Sequence, residues 1–536
     1  MPRRLFFRSY IICIETAGVD TWRRSKQYPC EAKMNRAAAY DELLKRVREE
    51  SLLASSAELL SWDEETYLPP EGVEYRSEQL AYLAGLQHAQ ATDPRRGELL
   101  SFLEASAPLG DASSAPAVNL RELRRRFERE TRLPGRLVEE LARVTTLAQQ
   151  QWVQARATAD FAAFRPRLEK VIGLKREEAE ALGYEDSPYD ALLEDYEPGA
   201  RSRALADVFH ALEREIIPLA NTITHASPRQ GASALEGSFP LDRQRNFALQ
   251  VAGKLGFDLK RGRIDTTTHP FFSTLGPHDC RIATRYHPVR FGDGFFATLH
   301  EIGHGLYEQG LPVEHHGTPR GEAPSLSIHE AQARLWENLV GRSRGFWRHF
   351  FPMARQVFPE SLGNVSLDRF HRDVNRVEAG CLRVGADEIT YNLHIVIRFE
   401  LEQALLSGDL PVADLPAAWD EAYRHRLGVI PAHAAEGCLQ DGHWAVGMIG
   451  YFPTYTLGNL MAAQLFAAAQ RDLGDLNDAF ARGDFGGLVG WLGEKVYRHG
   501  SCYLAKDLVR RATGAPPDHR AFLDYLRGKY AATLPR

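Results

Sequence analysis

Apolar residues recur three and four places apart along almost the whole of this 536-residue chain. The run AAAYDELLKRVREESLLASSAELLSW at 37–62 is representative, and its period matches one stripe of an α-helix rather than the two-residue period of a strand. Interruptions are short Pro/Gly turns such as YLPPEG at 67–72 and YEPGARS at 196–202. Strict alternation is scarce. HDCRIATRYHPVR at 278–290 is the best strand candidate, and its neighbours THPFFSTLG and GDG read as turns. No long polar linker and no fixed-period repeat divides residues 35–536. The pattern predicts an all-α class: one large, mostly helical body with a small β element just ahead of residue 295.

Composition narrows the function classes. A net charge of -6 lacks the basic excess of a general nucleic-acid binder. No run approaches the roughly 18 apolar residues of a membrane-spanning helix, so no membrane partner is expected. Six cysteines (Cys13, Cys30, Cys280, Cys381, Cys438, Cys502) are scattered with no C-x-x-C pair. Neither a disulfide framework nor a thiolate zinc site is suggested, and a cytoplasmic setting fits best. Residues 1–33 are basic, with an apolar patch, YIICI, too short for a signal-peptide core, whereas MNRAAAYDELL from Met34 reads as a natural helical beginning. The expected division is a non-structural extension at 1–33 and one structured domain at 34–536.

The segment FFATLHEIGHGLYEQG at 295–310 holds the chemistry. Asp293 is placed to cap a helix running from about 295 until Gly310 and Pro312 stop it. Residues four apart on a helix differ by about 40° of rotation, so His300 and His304 share a face and can bind one cation. Two imidazoles leave zinc two positions short of a tetrahedron; a catalytic site takes one more protein ligand and keeps the last place for water, with Glu301 as the base. Nineteen histidines in one chain make the pattern attainable by chance, so a third ligand has to decide. Tyr307 and Gly310 exclude the metzincin pattern, which needs Gly and His there. Glu308, Glu314, His315, His316, Glu322 and Glu330 are the candidates. Glu308 lies far along the same helix, and His315 and His316 sit in a Gly/Pro loop that solvent should reach. Glu330 opens another helix, SIHEAQARLWENLVG, but Ser327-x-x-Glu330 is equally a capping box.

Segments after Met34 then resemble, in order, the motifs of the carboxypeptidase Taq family of metal-dependent carboxypeptidases: LSWDEETYLPPEG with Arg76 and Gln79 following, YDALLEDYEPG, HPF at 269–271, DCRIATRY, HEIGH, GTPRGEAPSLSIHEAQARLWEN, LRVGADEITYNLHI and GCLQDGHWAVGMIGYFPTYTLG. The resemblance implies a single helical body with a deep catalytic cleft, of gluzincin type, with His300, His304 and Glu330 as metal ligands and Glu301 as general base. It further implies zinc as the metal, with cobalt able to serve, a homodimer, and removal of single C-terminal residues from peptides with a free carboxylate. Three motifs depart from the family pattern. Ala283 stands where the family has threonine, Ala331 follows Glu330, and the family's I-R-x-x-A-D reads Leu382 to Asp387. The Ala283 change removes a hydroxyl and bears on substrate preference or rate.

A carboxypeptidase must recognise a terminal carboxylate, which suits the bidentate fork of arginine. Arg281 and Arg383, each inside a matched motif, are the candidates, and sequence does not choose between them. His443, Tyr451 and Tyr455 are candidate donors to a developing oxyanion, with packing around the cleft as the plain alternative. Asp387, Tyr391, His394 and Arg398 recur at helical spacing, on either a solvated or a cleft-lining face. His269 and His329 read as supports rather than ligands, and Cys280, Cys381 and Cys438 as small packing groups. The rival readings are a metal-dependent oligopeptidase or endopeptidase of similar fold, and a non-catalytic scaffold. Retention of Glu301 beside the ligands argues against the scaffold.

Overall fold

The computed structural model describes residues 35–106, 110–226, 231–267 and 270–531. The extension expected at 1–33 and the supporting role expected for His269 lie outside the described residues.

Helices begin where short polar side chains can accept from their first turn. Asn35 accepts from Ala37 N and opens α1 (Arg36–Thr66), two residues after the start read from Met34. Helix α2 (Val73–Ala91) folds back along it; Asp93 caps α3 (Pro94–Ala105) and Ser114 caps α4 (Ala115–Arg132). Helices α1, α3 and α4 share a small core of their own, built from Ala39, Leu43, Val47, Leu99, Leu100, Leu103 and Leu123. The long helices that follow, α5 (Gly135–Thr158) and α6 (Phe161–Leu182), belong to a second and much larger core that runs from Leu137 to Tyr530. Between the two cores the contacts named by hydrogen bonding are polar: Ser273 donates to Glu58 at 2.6 Å, Tyr67 to Asp265 at 3.2 Å, and Arg121 to the Ser501 carbonyl at 2.9 Å.

A three-stranded sheet lies against this helical mass, in the order β1 (Gly262–Thr266), β3 (Asp279–Thr284), β2 (Phe271–Gly276). β1 is parallel to β3 and β2 antiparallel to it, with Phe272 opposite Ile282 and Ser273 opposite Arg281. The helical class with a small β element before residue 295 therefore stands. Two local expectations do not. Most of THPFFSTLG is strand β2 rather than a turn, because pairing with β3 satisfies its backbone. GDG lies inside a helix that begins at Phe291. Phe291 is fully buried against Phe239, Phe247, Phe295 and Phe358, and a buried Phe of this kind is worth about 1.5–3 kcal/mol, enough to carry the helix back over two glycines. Asp293 consequently sits in the first turn and pairs with Arg290 at 2.7 Å; it does not cap the helix.

Two close approaches bring the later helices together. A Cβ on Gly303, in the Phe291–Gly310 helix, would lie 2.6 Å from Ala333 Cα in the Leu326–Arg334 helix. A Cβ on Gly458, in the Pro453–Leu473 helix, would lie 2.5 Å from Glu330 Cγ. Among the described residues no helix is long and apolar enough to cross a membrane.

Candidate metal centre and active site

The Leu326–Arg334 helix is capped by Ser325, whose hydroxyl accepts from Ile328 N at 3.3 Å. Ser327 is already inside the helix and wholly buried, so the capping-box account of Glu330 fails and its carboxylate is left for other work. Glu330 Oε2 lies 3.5 Å from His300 Nε2 and 3.8 Å from His304 Nε2. One ligand atom from each of the three residues falls within 4.8 Å of the others, on two helices joined through Gly303.

The donor set fits a divalent cation. Burial holds His304 well below the ordinary histidine range, so its ring is neutral and offers a lone pair. His300 is also buried, which disfavours its charge, but Glu330 and Glu337 outweigh that and raise its pKa. Its Nδ1 lies 3.0 Å from Glu337 Oε2. With the proton on that side, the Nε2 lone pair turns toward Glu330 and His304. Two imidazole nitrogens and one carboxylate oxygen then converge, and a bound cation would take the place of the proton that the flanking carboxylates favour on His300.

Glu301 is 7% exposed on the same helix turn. Burial pushes its carboxyl up to about 7; His300 opposes this and Glu330 adds to it. A carboxylate in that range is matched to taking and returning a proton near neutrality. Of the remaining ligand candidates, Glu308 is held 3.0 Å from His329 Nε2 and Glu322 pairs with Arg126 at 2.5 Å. His315 and His316 stand outside the three-residue cluster. His329 stacks on His304, with ring centroids 4.4 Å apart.

Farther along, His443 Nε2 lies 3.1 Å from the Tyr455 hydroxyl, and burial brings His443 down to about 4, so it is neutral. Tyr451 lies edge-on to Tyr455 at 5.3 Å. Arg383 spends Nε and Nη2 on Asp441 Oδ1, at 3.0 and 2.7 Å, and Nη1 on the Tyr391 hydroxyl at 2.9 Å. Arg398 Nε donates to Asp441 Oδ2 at 2.7 Å. Arg281 binds both oxygens of Asp279 at 2.9 Å and stacks 4.3 Å from the Trp62 ring on α1. By strand alternation it faces away from Phe272, whose ring lies 5.9 Å from His304.

The series Asp387, Tyr391, His394 and Arg398 is no solvated face. Tyr391, His394 and Arg398 are buried, and Asp387 accepts from Ile389 N and Thr390 N at the entrance to their helix. Buried Cys280 and Cys438 have thiols pushed up to about 12 by desolvation, as inert packing groups should. Ala283 is fully buried, and the neighbouring Thr284 hydroxyl lies 3.0 Å from that of Thr298.

Two residues of the site escaped the sequence reading. Arg334 Nε donates to Glu330 Oε1 at 2.6 Å, and its Nη1 to Glu337 Oε2 at 3.1 Å. The signal was available: 330, 334 and 337 are spaced i, i+4, i+7 and share one helical face.

The family model described as carboxypeptidase Taq (M32) metallopeptidase matches residues 42–530. The chain belongs to that family. It is therefore a metal-dependent peptide hydrolase of the carboxypeptidase class, and its membership implies a divalent metal. This M32 chain is 49% identical to thermostable carboxypeptidase 1 of Thermus thermophilus over 508 residues, covering 93% of this chain and 99% of that one. It is 36% identical to carboxypeptidase 1 of Bacillus subtilis, covering 91% and 97%. Among solved structures, an M32 carboxypeptidase from Deinococcus radiodurans R1 superposes with a TM-score of 0.88 at 40% identity, covering 92% of this chain and 99% of that one.

Proposed function

We propose that this M32 peptidase removes single residues from the C-termini of peptides with broad specificity, using one zinc ion per chain, with cobalt able to replace it. The convergence of His300 Nε2, His304 Nε2 and Glu330 Oε2 beside the buried carboxyl of Glu301 carries the reading. This is the gluzincin arrangement, in a single catalytic domain from residue 34 onward. A bound divalent ion supplies Lewis acidity to a peptide carbonyl and to water. His300, His304 and Glu330 would hold it, from two helices. Glu301 takes the proton of the attacking water and returns it to the departing amine.

Tyr455, with His443 behind it and Tyr451 beside it, supplies a hydrogen bond to the oxygen on which charge develops. Recognition of the terminal carboxylate rests with Arg383 or Arg281. The polar surroundings of Arg383, shared with Tyr391 and Tyr455, favour Arg383, since its guanidinium lies 5.1 Å from the Tyr455 ring. A homodimer and a cytoplasmic setting complete the proposal, on the family resemblance and on the free state of Cys280, Cys381, Cys438 and Cys502.

The test pairs elemental analysis with mass spectrometry of digests of a free-acid peptide and its amidated twin, by wild type and Glu301→Gln. Stepwise loss from the free acid alone, with metal in both proteins and a fall of about 10³-fold in the variant, is expected. Equal internal cutting of both peptides would replace the carboxypeptidase reading with an endopeptidase.

A further inference from the structure

Glu330 presents its two oxygens to different partners. Oε2 faces the imidazoles, at 3.5 and 3.8 Å, while Oε1 is taken by Arg334 Nε at 2.6 Å. The same guanidinium reaches Glu337 Oε2 at 3.1 Å, and that oxygen lies 3.0 Å from His300 Nδ1. One arginine therefore touches one candidate ligand directly and a second through one intermediary. Its own place is tightly set. The guanidinium lies 4.1 Å from the Tyr391 ring, its side chain is 11% exposed, and Glu337 is braced from the other side by Arg342 at 3.5 Å. Immediately after Arg334 the helix widens into a π-helical stretch, Leu335–Val340, that contains Glu337. Such widened turns are rare and recur at functional sites.

We propose that Arg334 is a positioning residue that fixes how Glu330 is offered to the metal. By occupying Oε1 it leaves a single oxygen for coordination, which keeps a coordination place open for substrate. By anchoring Glu337 it also holds His300 in the tautomer whose Nε2 lone pair points inward. Glu337 is the intermediary, and its carboxylate is the acceptor that Nδ1–H requires. Without Arg334, Oε1 is free to join Oε2 on the ion, and the open place closes. This inference rests on the reading of His300, His304 and Glu330 as ligands.

The experiment uses full-length protein stripped of metal and titrated with Co²⁺ alone, for wild type, Arg334→Ala, Arg334→Lys and Glu337→Gln. Affinity is read by competition with a chelator, and coordination number by the intensity of the visible cobalt bands, which weaken as ligands are added. Arg334→Ala is expected to bind about 10- to 100-fold more weakly and to give weaker bands. Glu337→Gln is expected to lose affinity in the same range while keeping wild-type band intensity, since Oε1 stays occupied. Arg334→Lys, able to reach one carboxylate but not both, should fall between. Melting temperatures of the metal-free proteins separate this from a general loss of structure, and Glu337→Gln carries the test if Arg334→Ala does not fold. Wild-type affinity and bands in both Arg334→Ala and Glu337→Gln, with only KM altered, would overturn the proposal and make Arg334 a substrate contact. Failure of wild type itself to bind Co²⁺ would instead remove the metal-site reading on which it stands.

Discussion

Two buried charged clusters stand close together in this protein and differ in what they leave unanswered. In the Arg383–Asp441–Arg398 cluster each carboxylate oxygen meets a guanidinium, Oδ1 that of Arg383 and Oδ2 that of Arg398. Burial alone would raise the Asp441 pKa, but the two arginines overcome it and hold the carboxyl well below the usual carboxylate range. The set needs no cation, and its pairing with Asp441 fixes the Arg383 guanidinium in place. In the His300–His304–Glu330 cluster three ligand atoms converge, and Arg334 serves the other oxygen of Glu330, Oε1. That set is complete only with a cation. Burial and charge are common to both; the difference between a brace and a binding site lies in whether the acceptors already have donors.

The sharpest way to break this comparison is to remove one member from each side. His304→Ala leaves two ligands, and metal analysis after dialysis should find no stoichiometric ion and no peptidase activity, with the metal-free fold retained. Stoichiometric metal in that variant would mean that the ion sits elsewhere. Asp441→Asn should do the opposite, leaving metal binding but stranding two buried guanidinium groups at a cost of about 3–5 kcal/mol in denaturant unfolding. A cost below about 1 kcal/mol would show that the brace bears little of the fold.

Titration gives the two clusters opposite signs. Glu301 is pushed up to about 7, from an ordinary value of 4.5, so the metal-free folded state keeps a proton that the unfolded chain releases. Stability of the metal-free protein should therefore decline as pH rises between those values, by up to about 3 kcal/mol, and Glu301→Gln should flatten the decline. The depressed Asp441 contributes stability above the ordinary aspartate pKa, which is lost as pH falls below about 4. Unfolding curves that stay parallel for wild type and Glu301→Gln across the upper window would count against the raised carboxyl. The smallest effect is expected at the meeting point of the clusters. Tyr455→Phe removes one hydroxyl, worth about 1 kcal/mol, and should lower kcat/KM about fivefold, with an unchanged value arguing for packing alone.

Much of this was legible before the fold was known. The three-and-four period identified the helical class because helix formation needs only local neighbours and one apolar stripe. His300, Glu301 and His304 were legible for the same reason, since four residues on a helix return to the same face without any tertiary help. Strand β2 was not, because FFSTLG carries no alternation of its own and becomes a strand by pairing with β3. The helix start at Phe291 is not legible in the sequence because the aromatic cluster that offsets two helical glycines is assembled from distant segments. The series on the Tyr391–Ser407 helix fits solvent or cleft equally by its spacing, and it is internal because Tyr423 and Asp441 answer it from elsewhere.

Sequence alone determined the helical architecture, the paired histidines with their adjacent carboxylate, and the ordered motifs that mark the family. Tertiary structure decided that Glu330, rather than Glu308 or Glu322, faces both imidazoles, because Gly303 lets one helix press against Ala333 of the other and Gly458 leaves room for the Glu330 side chain. It also decided that Arg334 holds Glu330 and reaches His300 through Glu337, whereas Arg383 pairs with Asp441 and Tyr391. The physical reason is one of range. A helix places residues relative to its own axis from local dihedral angles, but which carboxylate meets which nitrogen depends on how two axes cross, and that is set by packing between segments that local sequence does not relate.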